Sequence, residues 1–242
     1  MKIASNQFLG MYKKELHSLC LSPGIAIAIL LFLLSSGIPF LFPLSGISTE
    51  FYTFRNYISR IPFLLILIIP AFTMNIWMNE RKYGIEQIRL SLPVPDIILV
   101  TGKFASLITV YLTMLLCTLP VSLLALNTDS GPIFSSYLLL FLYGSATLAI
   151  GQFLSSLFSR SIVSFMVTAA TLFVLNTSHI LPLVTDIPGW MIPIATQLSF
   201  AWHFEAAARG IIDSRDIFFY ILPTLAFLLA NKIHLANRRI QS

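Results

Sequence analysis

Residues 79–103 read NERKYGIEQIRLSLPVPDIILVTGK, a charged island between two apolar runs in a chain of which only 10% is charged. Glu80, Arg81, Lys82, Glu86 and Arg89 crowd its first half. Ile85, Ile88 and Leu92 recur among them at helical spacing, and Tyr83 extends that stripe. One apolar and one charged face predict a short amphipathic helix. Pro93 and Pro95 end it, because proline offers no N–H and disfavours helical geometry in the residue before it. Asp96 is placed to cap the helix that follows. A helix of this kind, hung between two membrane spans, can touch a soluble partner. The same pattern also suits a solvated loop whose charges serve only topology.

The surroundings of the island set the class of the chain. Of 242 residues, 57% are hydrophobic and 20 are phenylalanine, and the mean hydropathy is +0.85. Soluble domains are about 45–50% apolar and about 25% charged, so this composition is that of an integral membrane protein with little soluble mass. The pI of 9.4 would suggest nucleic acid in a soluble chain. Here the basic residues cluster between apolar runs, where topology explains them, and no nucleic-acid partner is expected. Cys20 and Cys117 lie in or beside apolar segments without metal-ligand spacing, so neither a disulfide framework nor a zinc site is indicated. The N-terminal MKIASNQFLGMYKKELHSL is too long and too mixed for a signal-peptide n-region, and no small-residue cleavage site follows. The first apolar run is therefore expected to stay as a span.

A spanning helix needs about 20 predominantly apolar residues. Ile3 to Leu21 is mixed: Phe8, Met11, Tyr12, Leu16 and Leu19 fall near one face, with Lys13, Lys14 and Glu15 read as off it. That pattern predicts an amphipathic helix lying on the membrane surface and ended by Ser22-Pro23. Spans are then expected at about 24–42, 61–78, 104–126, 133–156, 162–184 and 217–231. Arg55 and Arg60 read as an interruption before the second span, with Pro62 near its start and Pro70 kinking its middle. Residues 127–132, NTDSGP, read as a tight turn. Region 185–216 carries Asp186, Glu205, Arg209, Asp213, Arg215 and Asp216 among Pro188, Trp190, Pro193 and Trp202. This mixture suits an interfacial or re-entrant segment with tryptophans at headgroup depth. The last apolar run is short for a span and would need Asn231 and a snorkelling Lys232 to complete it.

The prediction is an all-α integral membrane protein: one six-span transmembrane domain over residues 1–242, an N-terminal interfacial helix, a helix in the island between spans two and three, and no nucleotide-binding domain. With the N-terminus in the cytoplasm, the inside receives Lys2, Lys13, Lys14, Arg81, Lys82, Arg89, Lys103, Arg160, Lys232, Arg238 and Arg239. The outside receives only Arg55, Arg60, Arg209 and Arg215. The positive-inside rule then makes both termini and the island cytoplasmic.

Little in the chain promises chemistry. Gly102-Lys103 has no glycine five residues before Gly102, and phenylalanine follows the lysine, so there is no P-loop. No cofactor and no catalytic residue is expected in this chain. His203 and Glu205 are two apart, with His179 and Asp186 upstream, but histidines at membrane interfaces are commonly structural and no metal is expected. Asp213, Arg215 and Asp216 are expected to cap a helix and to pair locally. Gly144-Ser145 lacks the rest of a nucleophile elbow. Gly144 and Gly151 share a helix face, where local packing is the expectation. Apart from His179 near an end, the first five spans contain no ionisable group, which argues against an intramembrane proton relay. Energy for any transport would have to arrive from outside the chain, and the island is where it would be delivered.

Four stretches carry a resemblance to a known family. They are Lys13-Lys14-Glu15-Leu16 through Ser22-Pro23; Asn79 through Glu86 with Leu92-Pro93 and Gly102-Lys103; Ser155-Ser156-Leu157; and His203-Phe204-Glu205 with Arg209-Gly210, Asp213 and Arg215-Asp216. In order and spacing the set resembles the ABC-2 type permeases, especially the branch that includes gliding-motility and copper-enzyme-maturation permeases. Asn79 stands where the family often has a glutamate, and Ile85 where threonine is usual. The resemblance implies the permease subunit of an ATP-binding cassette exporter in a bacterial inner membrane. It implies a substrate pathway formed by two permease subunits, homo- or heterodimeric, with ATP and magnesium held by a separate ATPase subunit. Glu80, Arg81, Lys82, Tyr83, Gly84, Glu86 and Arg89 would dock that ATPase. His203, Glu205, Arg209, Asp213 and Asp216 would lie in the extracytoplasmic segment before the last span. Two other readings stay open on the residues: a membrane anchor or regulator that recruits a cytosolic protein without transport, and an intramembrane enzyme using the cluster from His203 to Asp216.

Overall fold

The computed structural model describes residues 2–41, 54–78, 95–123, 130–184 and 188–241. All regular structure among them is helical: α1 (Lys2–Cys20), α2 (Pro23–Leu41), α3 (Phe54–Thr73), α4 (Asp96–Leu123), α5 (Ser130–Leu157), α6 (Ser161–Thr177), a 3₁₀ turn (Ser178–Ile180), α7 (Leu181–Val184), α8 (Met191–Gln197), α9 (Phe200–Ala207) and α10 (Ser214–Gln241). Helices α3, α4, α5, α6 with its 3₁₀ extension, and α10 are long and apolar enough to cross a membrane. A sixth crossing is reached if α1 and α2, bent by 67° at Leu21-Ser22, count as one. Pro23 sets that bend by disfavouring helix in the residue before it.

Several helix limits differ from the apolar runs. α3 starts at Phe54, so Arg55 and Arg60 lie within the helix rather than before it, and Pro70 lies three residues from its end rather than at its middle. A run of turns from Met74 to Trp77 follows, where a continuing span was expected. α4 begins at Asp96, which occupies the first turn instead of the cap, and Gly102-Lys103 is thereby inside the helix. Gly131 and Pro132 open α5 rather than close a turn, as suits proline's fixed φ and missing N–H. α6 ends at Thr177, well short of Val184. The last helix runs to Gln241 and has 28 residues. At 1.5 Å per residue it is about 42 Å long, against a hydrocarbon core of about 30 Å. The expectation of a short sixth helix fails because hydrogen bonding carries a helix on through polar residues such as Asn231 and Asn237, where the apolar signal stops.

α5 is the centre of the packing, in contact with α3, α4, α6, α9 and α10. Leu139, Leu140, Tyr143, Ala146, Leu148 and Ala149 along it are fully buried. Its glycines admit neighbours: a Cβ at Gly144 would stand 2.1 Å from the Tyr111 ring, and one at Gly151 would stand 2.6 Å from Thr73 Oγ1. Tyr111 is held there by its hydroxyl, which donates to the Leu140 carbonyl at 2.7 Å. Tyr143 donates to the Pro62 carbonyl of α3 at 3.2 Å and accepts from Asn176 of α6 at 2.7 Å. Its ring meets Phe200, Phe204 and Tyr220 edge-on. Outside this core, Phe218, Leu222, Leu225, Leu229 and Ile233 form an exposed apolar stripe down α10. A stripe of this kind is costly in water and natural against lipid.

Candidate functional site

The island lies between Met78, beyond the end of α3, and Pro95, before α4. Its residues Glu80, Arg81, Lys82, Tyr83, Gly84, Glu86 and Arg89 fall outside the described residues, as does Asp186. The two roots of the island are described, and they meet at one buried cation. Lys103, completely buried on α4, donates to Glu15 Oε1 of α1 at 2.9 Å and to the Ile76 carbonyl at 2.8 Å. Its ammonium also lies 4.8 Å from the Trp77 ring centre, within cation–π range. One side chain thus joins α1, the turn leading into the island and the helix leading out of it.

Local packing brings these elements together. Gly102 leaves room for Met11, whose Cγ would stand 3.1 Å from a Cβ at that position. Tyr12 and Thr109 share a hydroxyl hydrogen bond of 3.0 Å about two turns further along α4. Glu15 does not lie off the packed face of α1 as expected. It is four residues from Met11 and from Leu19, so the helical repeat puts all three on one stripe, and Glu15 is buried against Lys103. Lys13 and Lys14 are exposed. α5 completes the junction: Ser155 Oγ donates to the Met74 carbonyl at 3.3 Å, and Gln152 Nε2 donates to the Val100 carbonyl at 3.0 Å. Ser155 thereby satisfies a carbonyl where α3 gives way to turns, which assigns a physical task to the Ser-Ser-Leu stretch. Sequence reasoning placed Lys103 among topology charges. Lys103 lies inside the helix, one residue before the apolar run expected as the third span.

At the opposite end of the bundle, the residues expected before the last span divide into two groups. His203 and Glu205 point apart. Glu205 accepts from Arg209 at 3.0 Å and from Arg55 of α3 at 3.4 Å, all about half exposed. His203 pairs with Asp216 at 2.6 Å, so Asp216 engages α9 rather than its neighbour Arg215. Asp213 Oδ1 accepts the Arg215 N–H at 2.9 Å, the capping role expected at the start of α10. Among the described residues, no three His, Cys, Asp or Glu side chains gather in a way that could hold a metal ion.

The α8–α9 segment is well fastened. Ser199 caps α9 by accepting from Trp202 N–H at 3.3 Å and donates to the Asn176 carbonyl at 3.1 Å. His179 Nδ1 lies 2.8 Å from Ser199 Oγ and, since that hydroxyl's hydrogen goes to Asn176, is the donor to it. The Ala207 carbonyl at the end of α9 accepts from Ser135 and Ser136 of α5 at 2.9 and 3.1 Å. Gly210 then turns the chain with φ +87°, a conformation that favours glycine, and a Cβ there would lie 3.1 Å from Pro132 Cγ, a tight approach.

The fold and these two ends define a class: a multi-pass helical membrane protein with a charged segment rooted in a buried junction. A family model described as ABC-2 family transporter protein matches residues 41–231. The chain belongs to this family of transporters, whose members are generally transmembrane permease subunits that pair with an ABC ATPase. The match leaves α1 and nearly all of α2 outside it. No curated protein matches the chain significantly.

Proposed function

We propose that the chain is the permease subunit of an ATP-driven exporter of the gliding-motility and copper-enzyme-maturation branch. It lies in a bacterial inner membrane with both termini in the cytoplasm. Two such subunits, alike or different, form the pathway, and a separate ATPase subunit holding ATP and magnesium docks on the island through Glu80, Arg81, Lys82, Tyr83, Gly84, Glu86 and Arg89. The observation that carries this reading is the Lys103 junction. A push delivered to the island reaches α1, the end of α3 and the start of α4 together, because one ammonium ties all three. α5 then shares the load through Ser155 and Gln152. The arrangement converts a local push into movement of several spans, and it switches the pathway to the extent that the two states differ in their contacts.

The test is coupling in proteoliposomes containing the permease and its ATPase. Glu80→Ala combined with Glu86→Ala is expected to leave insertion intact while ATP hydrolysis no longer responds to the permease. Unchanged coupling in that variant would remove the island from the docking role.

A further inference from the structure

α4 and α5 part along a groove of about 370 Å³ that opens on the outer surface of the bundle. Leu112, Leu115, Leu116 and Leu119 line its α4 side, where their three- and four-residue spacing makes them one stripe. Ile133, Tyr137 and Phe141 form a matching stripe on α5, and Phe134 stands at the edge, 67% exposed. The one polar side chain among them turns its polar end away. Tyr137 Oη lies 2.9 Å from Thr118 Oγ1 and 3.3 Å from Ser122 Oγ, both buried on α4. Its ring is therefore wall, while its hydroxyl is satisfied inside the bundle. Virtually no polar surface opens into the groove.

Its dimensions and depth select an occupant. Leu112 to Leu119 covers about 10 Å of helix and Ile133 to Phe141 about 12 Å, within the roughly 15 Å of hydrocarbon that one leaflet supplies. The groove lies in the half of the bundle nearer α9. Ile133 is in the first turn of α5, and Ser135 and Ser136 just beyond it reach the Ala207 carbonyl. Spread over about 12 Å, the volume of 370 Å³ gives a mean cross-section of about 30 Å², against about 80 Å² for a helix 10 Å across. A helix of a second copy is too wide to enter. Walls without donors or acceptors also leave any polar group buried there unpaired, which is costly. The ligand that fits is narrow, unbranched and apolar along its whole buried length.

We propose that this groove binds one acyl chain of a membrane phospholipid, in the leaflet at the α9 end. The chain runs along the two helices, with its ester end beyond Leu119 and Ile133, toward the start of α5. Its methyl end lies between Leu112 and Phe141, near mid-bilayer. A chain seated there fills the gap between two spans and stabilises their packing, as any ligand of the folded state does. The exposed stripe on α10 offers lipid a row of side chains, whereas the α4–α5 groove offers walls on two sides. The site requires only that α4 and α5 cross a membrane, and it does not rest on the permease reading.

The experiment uses the full chain in mild detergent with a trace of phosphatidylethanolamine that carries a diazirine midway along one acyl chain. After illumination, the labelled residues are mapped by peptide mass spectrometry. Leu222, Leu225 and Leu229 on α10 are 65%, 56% and 54% exposed, against 39% and 51% for Leu112 and Leu116. Casual contact therefore labels α10 at least as strongly as the groove, whereas a built site labels the groove several-fold more. Leu116→Trp, which puts an indole into the groove, should bring its labelling down to that of α10 and leave α10 unchanged. Leu112→Trp serves the same purpose should that variant fail to fold. Labelling of α10 equal to or above that of the groove would overturn the site. A folded tryptophan variant labelled as strongly in the groove as the wild type would overturn it too. So would a disulfide between two copies through Leu116→Cys, formed in the native membrane with Cys20 and Cys117 replaced by serine, because it would assign the groove to a second copy.

Discussion

Lys103 is fully buried and Glu15 nearly so, and their ion pair helps to offset the loss of hydration. Breaking a buried ion pair by removing one partner costs about 3–5 kcal/mol. Lys103→Met and Glu15→Leu are each expected to lower the melting temperature in detergent sharply, while the double variant recovers much of the loss. Equal additive losses would show that the two residues do not act as a pair. Gly144 is constrained from the other direction. Gly144→Ala would place a Cβ 2.1 Å from a Tyr111 ring that its own hydroxyl pins to Leu140. Overpacking of this kind costs about 1–3 kcal/mol, and Tyr111→Leu in the same chain should return most of it in thermal melts. The tight approach at Gly144 accords with the packing role read from the shared face of the two glycines. The burial of Glu15 was also present in the sequence, in its four-residue spacing from Met11 and Leu19, but its charge argued against placing it inside. Nothing in the sequence pointed to Ile76 as the third partner, because a backbone carbonyl leaves no trace in residue type.

The helices and their order follow from apolarity, while their limits follow from hydrogen bonding and packing. α3 was displaced by about two turns for this reason. Its early arginines continue a helix whose outer turns need no apolar side chains, and its expected later part unwinds at Thr73. There the Thr73 hydroxyl already donates to the Ile69 carbonyl at 3.0 Å, and Ser155 supplies the bond to Met74. Ser155→Ala should destabilise by about 1 kcal/mol, the ordinary net value of one such bond, and should speed hydrogen exchange in the turn following α3 more than elsewhere. Uniform exchange along α3 would count against that account. The link from α3 to α9 through Arg55 and Glu205 is half exposed and weakened by solvent screening. Arg55→Ala should therefore shift thermal stability by roughly 0.5 kcal/mol or less. A larger loss would mean that this pair, and not the buried serines and His203, fastens α9.

For the molecule as a whole, the class was legible from composition and the family from four short stretches. The buried junction at Lys103 was not, since it joins residues 15, 76 and 103 across three elements. The orientation proposed from the lysine and arginine count makes a direct prediction. Single cysteines at Thr128 and Ile211 should react with a membrane-impermeant maleimide applied from outside the cell, and cysteines at Ser159 and Asn237 should not. The reverse pattern would invert the topology and place the island outside the cytoplasm. The most direct test of the central claim is a mild-detergent purification of the tagged chain from its native membrane, with identification and quantification of what accompanies it. The account predicts a stoichiometric ATPase subunit carrying a P-loop, retained by the wild-type chain and lost when Glu80 and Glu86 are both changed to alanine. A folded chain that purifies without any such subunit would contradict it.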